Sequence, residues 1–130
     1  MKNNIAKLIL MLGAFSLFSQ LAVAQTDANS VAAKQVADIV ASLNHFPSDA
    51  DKVTLASISG NTGLAQGVRD MATAVANIQH SATAEGKSAM AALQASADIP
   101  ERGKALAGVI ASINHTASAD AKAQLAQLFP

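Results

Sequence analysis

A period of 35 residues governs this chain. The segments VASLNHFPSDADKVTLASI (40–58), VANIQHSATAEGKSAMAAL (75–93) and IASINHTASADAKAQLAQL (110–128) align at that step without a gap. The shared columns are Val40/Val75/Ile110, Ala41/Ala76/Ala111, Leu43/Ile78/Ile113, Asn44/Gln79/Asn114, His45/His80/His115, Ser48/Thr83/Ser118, Lys52/Lys87/Lys122, Leu55/Met90/Leu125, Ala56/Ala91/Ala126 and Ile58/Leu93/Leu128. The chain has three histidines in all, and every one falls in a single column. Repetition at this spacing means copies of one supersecondary unit, each too small to bury its own apolar face and therefore packed on its neighbours.

Each unit reads as helix, turn, helix. Apolar residues recur on one helical face at Val36, Ala37, Val40, Ala41 and Leu43, and at the positions 35 and 70 residues further on. The histidine is expected to close this first helix, and Ser48, Thr83 or Ser118 to cap the second by accepting a backbone N–H. Asp49 and Asp51, Glu85, or Asp120 then sits in the first turn, at the positive end of the helix dipole. Between units, Gly60-Asn61-Thr62-Gly63 reads as a turn with Gly60 as a C-terminal cap, and Asp98-Ile99-Pro100-Glu101 as a capping box. These signals predict an all-α fold of six helices, at roughly 31–45, 49–58, 64–80, 84–97, 101–115 and 119–128. Three helical hairpins (units 28–62, 63–97 and 98–130) are expected to stack as a short solenoid or a compact bundle.

Residues 1–24 carry a separate message. Lys2 and Lys7 give a positive start, Leu8 to Phe18 an apolar stretch, and Ala22-Val23-Ala24 a small-x-small cleavage site. The segment reads as a cleavable secretory signal peptide, which leaves 25–130 as one helical domain destined for the periplasm or the exterior, without a stable membrane anchor. Removing Lys2 and Lys7 leaves seven basic residues against nine acidic ones, a net charge of −2. That balance argues against nucleic acid as a partner, which needs a basic patch. The chain contains no cysteine, so an oxidising compartment adds no disulfide and stability must come from packing.

The histidine column admits two principal readings. At the last turn of a helix an imidazole interacts favourably with the negative end of the dipole, and each repeat needs the same solution; this local, structural role is the first reading. The second is a metal site at His45, His80 and His115. In a linear stack the three side chains stand ~10 Å apart from unit to unit. They converge on an ion only if the units close around a pseudo-threefold axis, or in pairs through oligomerisation. A shared pH response of three equivalent imidazoles is a third possibility.

The spacing of His45 to Ser48, and of His115 to Ser118, superficially suggests a base and a nucleophile. A cap serine is already occupied by backbone amides, and no third orienting group follows, so no catalytic residue and no cofactor is assigned. Lys52, Lys87 and Lys122, with Asn44, Gln79 and Asn114, are expected to line one edge of the stack as a repeated polar surface for a protein partner. Sequence alone therefore favours an exported, non-enzymatic protein-binding module such as an adaptor, inhibitor, immunity-type or chaperone-like protein, with metal binding or buffering through the histidines as the alternative.

Overall fold

The three caps anticipated from Ser48, Thr83 and Ser118 all form, and they set the frame of the molecule. The Ser48 Oγ accepts the Asp51 N–H at 3.1 Å, while the Ser48 N–H donates to Asp51 Oδ2 at 3.2 Å. Thr83 Oγ1 accepts the Gly86 N–H at 3.0 Å, and Ser118 Oγ the Ala121 N–H at 3.1 Å. The computed structural model describes residues 27–130; the segment read as a signal peptide, 1–24, lies outside them. Among the described residues six helices follow one another: α1 (27–42), α2 (Asp49–Gly60), α3 (Gln66–Ala76), α4 (Ala84–Ala95), α5 (Glu101–Ser112) and α6 (Ala119–Leu128).

The hairpins pack as a bundle closed on itself, not as a linear stack. Near the start of α1, Asn29 Oδ1 accepts the Ala65 N–H at 2.8 Å and Ser30 Oγ accepts from Arg102 Nη2 at 2.6 Å, so the beginnings of α1, α3 and α5 meet. Further along α1, Lys34 donates to the Phe129 carbonyl at 3.2 Å, which joins the first unit to the end of the third. The three odd-numbered helices form the inner layer. Their apolar stripes supply the core in threes: Val36 with Met71 and Leu106, Ala37 with Ala72 and Ala107, Val40 with Val75 and Ile110, and Leu43 with Ile78 and Ile113. None of these is more than 3% exposed. The outer helices α2, α4 and α6 insert Leu55, Met90 and Leu125 from equivalent positions, all buried, and α2 and α4 add Ile58 and Leu93.

Close approach at one end depends on small residues. A Cβ on Gly67 would lie 2.9 Å from Ile99 Cδ1, and one on Gly103 3.0 Å from Ile99 Cγ2. Both glycines stand on inner helices, and their missing side chains make the space that Ile99 occupies.

Local signals were misleading at the helix ends. Each inner helix stops three or four residues before its histidine, so the imidazoles are loop residues and not last-turn partners of the dipole. Gly60 remains inside α2, with Asn61 as its C-cap. The N-cap of α5 is Pro100, with no side-chain bond, so the box anticipated from Asp98 and Glu101 does not form. Among the described residues no helix is long and apolar enough to cross a membrane.

Shortening a side chain of the outer layer tests the packing. Met90→Ala should lower the unfolding free energy by about 2–5 kcal/mol, whereas Lys87→Ala, on the exposed face of the same helix, should change it by less than about 0.5 kcal/mol. Urea denaturation followed by far-UV circular dichroism measures both.

Candidate metal centre

The loops 43–48, 77–83 and 113–118 meet at one end of the bundle, and their backbones bond in a ring. The His80 N–H donates to the His45 carbonyl at 2.6 Å, the His115 N–H to the His80 carbonyl at 2.5 Å, and the His45 N–H to the His115 carbonyl at 2.6 Å. Each histidine thus donates once and accepts once, and the cycle closes after three. This is pseudo-threefold closure, one of the two arrangements under which the histidines could converge on an ion.

Joining the ring demands an unusual backbone. His45, His80 and His115 have φ of 68°, 69° and 65°, in the left-handed region, while none of the described glycines has positive φ. In the first and third loops the residue after the histidine donates back two positions, Phe46 to the Asn44 carbonyl and Thr116 to the Asn114 carbonyl, each at 2.8 Å. Such a tight turn with a positive central φ is rare and strained. A residue with a Cβ is disfavoured there by about 1–2 kcal/mol, which roughly cancels the 0.5–1.5 kcal/mol net of one backbone hydrogen bond. Packing holds the loops instead. Leu43, Ile78 and Ile113 before each histidine, and Pro47, Ala82 and Ala117 after it, are buried.

The three side chains leave the ring on the same side. Their imidazole centroids are 5.0–5.2 Å apart, and one potential ligand nitrogen from each lies within 4.8 Å of the others. Three nitrogens bound to one ion at ~2.0–2.1 Å with tetrahedral angles stand roughly 3.3 Å apart. Rotations about χ1 and χ2 that bring each nitrogen less than ~1 Å toward the axis complete that geometry. His45 is half-buried and His80 and His115 are exposed, so the fourth position of such an ion opens to solvent.

Two of the rings are held from behind. His45 Nδ1 lies 2.6 Å from Asn44 Oδ1, and His115 Nδ1 lies 2.7 Å from Asn114 Oδ1. An amide oxygen only accepts, so each Nδ1 carries a proton, and in the neutral ring it is Nε2 that offers a lone pair. Metal-ligating histidines characteristically donate their other ring N–H in this way. Position 79 holds Gln, and among the described residues His80 has no corresponding bond.

The side chains expected to form a partner surface fall in two sets. Asn44, Gln79 and Asn114 surround the histidines at the closed end. Lys52, Lys87 and Lys122 are exposed, one on each of the outer helices α2, α4 and α6. Lys52 lies 6.0 Å over the ring of Phe46. The role of Asn44 and Asn114 in fixing the imidazoles was missed by sequence reasoning, although asparagine directly before histidine in two units is its visible trace.

No protein family, curated protein or solved structure matches the chain, so its function is read from this geometry.

The strain can be measured without any metal. His80→Gly should be more stable than His80→Ala by about 1 kcal/mol, because only the alanine keeps a Cβ in the left-handed region. Urea unfolding of the two variants gives the difference, and an alanine variant as stable as the glycine one would contradict it.

Proposed function

We propose that this is an exported metal-binding protein that holds one divalent transition-metal ion on His45, His80 and His115. The observation that carries this reading is the left-handed backbone at all three histidines. Glycine would occupy that conformation without strain and leave the backbone hydrogen-bond ring intact, so the backbone gives no reason for a side chain there. Strained residues that persist when an easier choice exists point to a use for the side chain. Their convergence supplies the use.

Three neutral imidazoles suit zinc, copper and nickel, and a trigonal set with one open position matches tetrahedral zinc better than square-planar copper(II). The protein binds or buffers the ion and performs no chemistry of its own.

Isothermal titration of the purified protein with zinc should show one ion per chain, with micromolar or tighter affinity. His80→Ala should weaken binding at least about tenfold. A flat zinc titration of the unaltered protein, repeated with copper and nickel, would remove the proposal.

A protein-binding role has separate support from the first hairpin. Phe46 and Val53 are 57% and 72% exposed, and the equivalent positions in the other units hold the smaller Ser81, Thr116, Ser88 and Ala123. Exposed apolar side chains confined to one of three copies suit a contact surface beside the metal end. A Phe46→Ser, Val53→Ser double variant should lose a partner captured by the unaltered protein from envelope extract; identical capture would exclude this surface.

A further inference from the structure

Resting on the metal-binding reading, we propose that the three ligands divide the work: His45 and His115 are fixed, and His80 is the ligand that swings aside to admit and release the ion. Asn44 and Asn114 are positioning residues for the fixed pair.

Three observations single out the second unit. The first is the ring anchor. Asn44 and Asn114 hold Nδ1 of the following histidine at 2.6 and 2.7 Å, which fixes both the tautomer and the direction of Nε2. Gln79 stands in the same column with one more methylene, and its side chain makes no such bond among the described residues. The second is the backbone. The tight turns centred on His45 and His115 are closed by Phe46 and Thr116, whereas the second loop has the opposite polarity, with the Gln79 N–H donating to the Ser81 carbonyl at 3.3 Å. The third is room. A cavity of about 280 Å³ opens beside His80, between Phe46 and Lys52 of the first hairpin and Asn77 and Gln79 of the second loop. An imidazole turning off the axis has space to enter it.

These features fit one mechanism. With two imidazoles held in the ligating tautomer, an incoming ion meets a two-nitrogen site whose orientation needs no further ordering. His80 then rotates in from the cleft as the third ligand. Release runs in reverse, and its rate depends on how freely His80 leaves. Equal anchoring of all three rings would trap the ion more firmly and exchange it more slowly.

Gln79→Asn restores the anchor that the other units possess. In stopped-flow experiments with the zinc-loaded protein and excess chromogenic chelator, this variant should release zinc about tenfold more slowly than the unaltered protein. Asn44→Leu and Asn114→Leu should weaken zinc affinity by about 10–100-fold, the usual loss when the partner of a ligating histidine is removed. Equal release rates for the unaltered and Gln79→Asn proteins would overturn the proposal. A second measurement needs no metal: long-range ¹H–¹⁵N spectra of the metal-free imidazoles should show the Nδ1–H tautomer for His45 and His115 and a mixture for His80, which Gln79→Asn converts to Nδ1–H. One common tautomer at all three would defeat the division of labour while leaving zinc binding intact. Failure of the unaltered protein to take up zinc would defeat the metal reading itself.

Discussion

The cycle of backbone hydrogen bonds through His45, His80 and His115 ties together three loops that are distant in sequence. It uses only N–H and C=O groups, and buried neighbours such as Leu43, Ile78 and Ile113 hold in place the strained loops that carry it. A row of repeats would leave its first and last units unpaired. Here the carbonyl of the third histidine serves the first, and the contact of Lys34 with Phe129 repeats the closure along the helices. The core in threes follows, since inner helices arranged about one axis bring equivalent positions to one level.

That ring also explains why the imidazoles meet. For a residue to donate to one neighbour and accept from the other while its chain turns between antiparallel helices, the backbone adopts positive φ. The side chains are thereby directed to one end of the molecule. In many proteins glycine or asparagine takes such positions. This chain has glycines elsewhere, at helix contacts such as Gly67 and Gly103 where bulk and not torsion is the constraint. The strain falls at the three histidines, and the buried residues on either side of each one hold it there.

Departures from the repeat are as informative as its conservation between units. The scaffold columns, such as Leu55/Met90/Leu125 and the three caps, vary only within what packing and capping tolerate. At the histidine end the units diverge in kind, with Gln79 for asparagine and Phe46 for serine or threonine. A structure with three equal environments would hold a metal symmetrically. Unequal anchoring gives the three imidazoles different freedom, and an exposed Phe46 gives this end of the bundle a distinct side.

Local signals determined a large part of this protein. The 35-residue period, the helical stripes and the side chains of Ser48, Thr83 and Ser118 act within a few residues of one another, so the six helices, the caps and the membership of the core were legible. The ends of the inner helices were not: the apolar stripe runs on through Leu43, Ile78 and Ile113, which are buried as loop residues and read as a last helical turn. Nor could spacing reveal that Asn44 and Asn114 turn their oxygens to the imidazoles. Whether three hairpins stack in a row or close in a ring is decided by contacts between residues 35 and 70 positions apart, and these depend on how the hairpins tilt against each other. Sequence therefore placed one histidine in each unit, and only tertiary closure brought the three imidazoles together, because the loops that carry them meet where the hairpins close.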